Sequence, residues 1–189
     1  MNKTHAVLFA FATALSLSAQ NILKNPDFEE IKPANLSEKL KKYLDAEEIP
    51  VGWSLNPPGY PSKFTMMTDA ETSQSGSCYL RVEQKDPAKH SSASQWWVPV
   101  KTGGKYRFTI YAKGKGNLMQ QVIAFRKKNV SAGSFISSKK LVPVPSETEW
   151  TKFEYEFDMP EGVENVCVHL KMDGVVDLDN AYLGPAETK

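Results

Sequence analysis

From about residue 50 onward, hydrophobic and polar positions alternate with a period of two, in short runs broken by Gly, Pro, Ser or Asn. The clearest run, Tyr106 to Lys113, puts Tyr106, Phe108, Ile110 and Ala112 on one face, and Gly103-Gly104 before it supplies a turn. Equivalent runs over residues 78–83, 94–100, 118–126, 150–157, 166–172 and 175–183 predict strands, rich in β-branched and aromatic side chains. Many short strands at regular spacing predict an all-β, two-sheet sandwich of the jelly-roll type and argue against alternating βαβ units. One stretch departs from this pattern. Over residues 35–48, Leu36, Leu40, Tyr43 and Leu44 recur at helical spacing, Asn35 with Glu38 has the form of an N-terminal cap, and Pro50 follows. A short amphipathic helix near the N-terminus is predicted there.

The first residues change the picture of location. A lightly basic start is followed by an apolar run, residues 6–15, that ends in small residues up to Ala19. This predicts a signal peptide over residues 1–19 and a single exported domain over residues 20–189, secreted, periplasmic or at the cell surface. The run is short for crossing a hydrocarbon core of about 30 Å, and no later stretch reaches the ~20 apolar residues of a spanning helix. The 23 basic and 22 acidic side chains nearly cancel. Binding to nucleic acid by counterion release is therefore not expected. The local basic runs Lys113-Gly114-Lys115-Gly116 and Arg126-Lys127-Lys128-Asn129 fall where turns are expected. Cys78 and Cys167 would meet an oxidising compartment. Cys78 shares a face with Leu80 and Val82, whereas Cys167 alternates against Val166, Val168 and Leu170, so a disulfide and two free thiols both stand open.

Several motifs, in order, resemble the carbohydrate-binding modules of the family 4, 9 and 22 type. The opening Asn21-Ile22-Leu23-Lys24-Asn25-Pro26-Asp27-Phe28-Glu29, followed by Gly52-Trp53, is similar to their N-L-L-x-N-G-x-F-E and G-W pieces. Ser75-Gly76-Ser77-Cys78-Tyr79-Leu80-Arg81-Val82, Val98 to Tyr106, Thr148-Glu149-Trp150 and Val176-Asp177-Leu178-Asp179-Asn180-Ala181-Tyr182-Leu183 resemble later strand and turn motifs of the same family. The chain departs from the pattern in a longer link over residues 31–49 and in Asn180, which stands where the family has a second Asp. The resemblance implies a galactose-binding-domain-like jelly roll that binds a polysaccharide or other glycan. It also implies one structural calcium held by Glu29 and Asp179, with Ser77 and the turn around it completing the shell and Asp27 as a further donor.

Sugar rings offer C–H faces to aromatic side chains and hydroxyls to polar ones. The positions opposite the core alternation are thus the candidates for carbohydrate binding: Trp97, Arg107, Tyr111, Gln121 and His169, with Tyr60 on a Pro-Gly loop. Trp53 and Trp150 read as core. No catalysis is expected, since no spacing picks out a carboxylate pair. Gly-x-Ser-x-Gly and His-Glu-x-x-His are both missing, and one of only three histidines lies in the signal segment. The alternatives are a jelly-roll domain of the cell envelope that contacts protein partners without sugar and, more remotely, a glycan-active enzyme.

Overall fold

The computed structural model describes residues 20–57, 59, 61–86, 88–126, 134–138 and 140–186. The segment read as a signal peptide and the candidate Tyr60 lie outside the described residues. The elements run β1 (Ile31–Pro33), α1 (Glu38–Lys41), β2 (Leu44–Asp45), β3 (Glu48–Pro50), β4 (Ser54–Asn56), β5 (Ser62–Thr68), β6 (Cys78–Gln84) and β7 (Ser91–Pro99). They continue with β8 (Lys105–Phe125), β9 (Ser134–Ser138), β10 (Val142–Pro143), β11 (Thr151–Asp158) and β12 (Asn165–Pro185).

Two long strands organise the sandwich. β8 and β12 are each 21 residues long and pair antiparallel from Asn165↔Phe125 to Pro185↔Tyr106. Each belongs to both layers. The first half of β8 pairs with β11, and its second half with β9 and β10. The second half of β12 pairs with β6, which pairs with β5, whereas its first half pairs with β7, which pairs with β4. The result is a β6 layer (β2, β5, β6, β12, β8, β11) and a β7 layer (β4, β7, β12, β8, β9, β10). The long strands turn the corner between the layers where Gly114 and Gly116 face Val176 and Gly174. A Cβ on Gly114 would collide with the Val175 carbonyl, and one on Gly174 with the Lys115 carbonyl, so only glycine lets the two backbones approach this closely. The sequence reading took residues 113–116 for a turn between strands. They are instead the bend inside one strand, because pairing with β12 continues through the glycines.

The core lies between the layers and follows the predicted alternation. Phe108, Ile110, Ala112, Val176 and Leu178 of the β6 layer face Leu118, Val122, Val168, Leu170 and Met172 of the β7 layer, all at most 1% exposed. Trp53 is buried, as read, against Phe28 with ring centroids 5.0 Å apart. Trp150 is not in this core; it covers Tyr79 on the outside of the β6 layer.

The predicted helix is real but shorter than residues 35–48. It spans Glu38–Lys41, capped by Ser37, whose side chain accepts from the Leu40 amide, rather than by Asn35. Tertiary pairing wins beyond it: Leu44 and Asp45 join β5 in parallel, Ser62 N–H donates to the Tyr43 carbonyl, and Leu44 is 4% exposed. A single turn has too few internal hydrogen bonds to compete with that. Both cysteines are free and buried. Cys78 belongs to the core, whereas Cys167 points to the outer side of the β7 layer, so no disulfide joins them. Burial pushes the Cys167 thiol up to about 12, which keeps it protonated. Among the described residues, no helix is long and apolar enough to cross a membrane.

Candidate functional site

The register of the β7 layer places one row of side chains across its outer face. Ser54 of β4 lies beside Ser94 of β7, Ser94 beside His169 of β12, and His169 beside Gln121 of β8. A second row runs Asn56, Ser92, Lys171 and Met119. Their sequence neighbours Ala93, Leu170 and Val122 are in the core, which fixes these rows as outward. Ser94 is 0% exposed, yet its hydroxyl has no hydrogen-bond partner, and neither has the buried Nε2 of His169. Burial, with some help from Lys171, pulls the His169 pKa down to about 4. The imidazole is therefore neutral at physiological pH and offers one donor and one acceptor. Two polar groups turned to the same side without partners are unusual, because such groups are nearly always satisfied inside a protein.

At the end of this face stands an aromatic cluster. Val98 pairs with Val166 and Gln95 with Val168, so Trp96 and Trp97 together oppose Cys167 in a β-bulge. Trp97 takes the left-handed conformation, φ 60°, a strained state for a bulky residue. The bulge reconciles two phases of alternation and leaves both rings on the outer side, where each contacts Phe125. Their exposures differ. Trp97 is half-buried, with its ring 4.6 Å from that of Phe125, while Trp96 is 44% exposed. The sequence reading named Trp97 and missed Trp96. The signal that would have found it is the Trp-Trp pair itself, since strict alternation can place only one of two neighbours outside and a bulge is needed for both.

The remaining candidates lie on the opposite side of the sandwich, outside the β6 layer. Arg107 and Tyr111 line a shallow cleft of about 240 Å³ together with Thr109, Lys152, Asn180 and Tyr182. Its charges are mutually engaged: Arg107 meets Glu156 at 2.9 Å, and Lys152 meets Glu154 at 2.6 Å. Further along, Asp177, 2% exposed, holds Arg81 through two bonds of 2.7 and 2.8 Å. Lys113, 6% exposed, donates to the Thr72 carbonyl and lies over the Tyr79 and Trp150 rings. The sequence candidates therefore divide into two groups on two faces, with Trp97, Gln121 and His169 on one and Arg107 and Tyr111 on the other.

Of the residues named for calcium, Glu29, Ser77 and Asp179 meet at one turn, residues 74–78. Glu29 Oε1 accepts the amides of Ser77 and Cys78, and its Oε2 accepts the Ser77 hydroxyl. Asp179, 0% exposed, accepts the amides of Gln74 and Ser75 on Oδ2, and the Ser75 hydroxyl and Asn180 amide on Oδ1. The Ser77 carbonyl is taken by the Asp69 amide, and Asp27 sits in the preceding turn, outside this network. Gly76 is required because a Cβ there would collide with the Glu29 carboxylate. Calcium needs oxygens turned toward it. Here every carboxylate oxygen already accepts an N–H or O–H, so calcium would have to displace some of these donors in order to bind. Burial works to raise the Glu29 pKa, but the Cys78 and Ser77 donors outweigh it and hold the group below its ordinary value. For Asp179 burial prevails over the same kind of donors and the pKa stands at about 6. Melting curves in excess calcium and in chelator are expected to coincide. A calcium-dependent rise in melting temperature that Asp179→Ala abolishes would show instead that an ion displaces these donors.

A family model described as a carbohydrate binding domain matches residues 20–175. No curated protein matches the chain. Among solved structures, TmCBM61 in complex with β-1,4-galactotriose superposes with a TM-score of 0.58 at 16% identity, covering 88% of this chain and 99% of that one. The CBM22-1 xylan-binding domain of Xyn10C from Paenibacillus barcinonensis gives 0.52 at 14% identity, covering 73% and 88%. The enzymatically active domain of tailspike protein 4 from bacteriophage CBA120 gives 0.57 at 12% identity over 71% of this chain, which spans only 19% of that one. At these identities the superpositions establish the fold.

Proposed function

Because the chain belongs to the carbohydrate binding domain family, we propose that it is an exported, non-catalytic protein that binds a poly- or oligosaccharide across the outer face of the β7 layer. The observation that carries this reading is the conjunction on one sheet face of an exposed ring, Trp96, with two buried polar groups that lack partners, Ser94 Oγ and His169 Nε2. An apolar platform beside unsatisfied donors and acceptors matches the two sides of a sugar ring. In this assignment the Trp96 ring stacks on the C–H face and the half-buried His169 of the same face takes a hydroxyl, with Ser94 and Gln121 buried beside it. Trp97 and Phe125 hold the platform from beneath. Export rests on the apolar segment ahead of Ala19. The absence of catalysis is supported by the acids of the other face, where Glu154 and Glu156 are neutralised by Lys152 and Arg107 and so are not poised as a general acid and base.

The direct test is affinity electrophoresis of the protein through gels containing β-1,4-linked galactan, xylan or other soluble polysaccharides, followed by a glycan array. Retardation by at least one glycan that free oligosaccharide relieves is the expected result. Absence of binding throughout would favour a protein-contacting envelope domain. Reducing-sugar release from a bound glycan would favour an enzyme.

A further inference from the structure

The charge on the two faces is distributed differently, and this bears on which glycan is bound. On the outside of the β6 layer most cations have a partner, Arg81 with Asp177, Arg107 with Glu156, Lys152 with Glu154, and Lys113 with a carbonyl and two rings, and the unpaired Lys63 of β5 is exposed to solvent. The outer face of the β7 layer is different. Lys171 is half-buried between Met119 and Ser92, next to the neutral His169, and no carboxylate among the described residues lies within ion-pair distance of it. The one acid in line with it on β12, Asp173, is 5% exposed and accepts both the backbone and side-chain N–H of Asn117 through Oδ1, with His90 at 3.9 Å from Oδ2. A half-buried ammonium with no counter-charge loses part of its hydration without electrostatic return. It lies one row from Ser94 and His169, so a saccharide over those groups would bring a substituent onto it.

We propose that the glycan bound on this face is anionic, with a carboxylate or sulfate substituent seated on Lys171. This inference rests on the reading of the β7 layer as the carbohydrate face, and it goes beyond that reading in assigning the ligand a charge. Neutral His169 and Trp96 take the uncharged part of the ring, and Lys171 selects the acid. A charge-assisted hydrogen bond on a partly desolvated lysine makes the acidic form bind about tenfold more tightly than its neutral counterpart.

The test is titration calorimetry or affinity electrophoresis with matched pairs: polygalacturonate against its carboxyl-reduced form, and a sulfated galactan against the same chain after desulfation. The expected result is an acidic preference of about tenfold in one pair, which identifies the substituent. That preference should fall to parity in Lys171→Met, persist in Lys171→Arg, and weaken as salt rises. Melting curves of both variants establish that they are folded. Equal binding of acidic and neutral forms by the wild type, or an acidic preference that survives in Lys171→Met, overturns the inference while leaving the carbohydrate reading intact. Failure of the wild type to bind either member of both pairs, or any neutral glycan, overturns the reading beneath it.

Discussion

Asp179→Ala is expected to lower the melting temperature by roughly 10 °C, from a loss of about 4 kcal/mol at about 2–4 °C per kcal/mol for a domain of this size. The size of the effect follows from what the carboxylate does. It is fully buried and accepts three amides and a hydroxyl, so alanine leaves four part-buried donors without this acceptor. It also joins parts of the chain that are remote in sequence, since the same turn is gripped from the other end by Glu29. Nearby, the N-terminal segment is tied to β12 through Ile22 to Leu183 and Ala181 to Pro26. Loosening one carboxylate therefore loosens the closure of the sandwich. Asp179→Asn is not expected to rescue it, because either orientation of the side-chain amide turns an N–H toward at least one backbone amide, those of Gln74 and Ser75 or that of Asn180. Burial adds a pH signature. The folded pKa of about 6 lies above the ordinary aspartate value, so the charged form is disfavoured in the native protein. The contribution of this group to stability accordingly rises as pH falls from about 7 through 6 toward 4. Differential scanning calorimetry of wild type and variant across that range measures both effects. A shift below about 2 °C at neutral pH would mean that the network carries little of the closure.

Trp96→Ala is expected to weaken glycan binding between about tenfold and a hundredfold while changing stability by less than about 1 kcal/mol. The ring is 44% exposed, so removing it strips the platform without opening the core. Trp97→Ala should behave in the opposite sense. Its ring packs on Phe125, which is 3% exposed, and its loss uncovers that side chain and lowers stability by about 2–4 kcal/mol, offset in part by relief of the strained backbone. Thermal melts and binding isotherms on the same two preparations separate the roles. If Trp96→Ala bound as wild type, the exposed ring would not be the platform.

The sandwich was legible because its strands are half-buried and alternate. Tyr106, Phe108, Ile110 and Ala112 all face the core as their spacing requires. Several features were not legible, each for a physical reason. Gly114 and Gly174 are punctuation in a linear reading, whereas in three dimensions they let one strand serve two layers. The stretch at residues 35–48 has helical spacing, but Leu44 gains more by pairing with β5 than by extending a helix of one turn. The proposed face was legible only in the direction of its side chains. Alternation turned His169 and Gln121 outward, as observed, but it cannot report that Arg107 and Tyr111 lie on the other side of the sandwich, because that depends on which half of β8 they occupy. Nor can it anticipate a bulge, and so it chose Trp97 over Trp96. The motif named Asp179 and Glu29 together, and both accept from one turn, but only the geometry reveals that amides are turned toward them.

The central claim, that the outer face of the β7 layer is the carbohydrate surface, is tested most directly by titrating isotopically labelled protein with a bound glycan and following amide and indole resonances. The account predicts that shifts concentrate on Ser94, Trp96, Gln121, His169 and Lys171 and leave Arg107, Tyr111 and Tyr182 unmoved. Shifts confined to the cleft of Arg107, Tyr111 and Tyr182, with the β7 face silent, would contradict it.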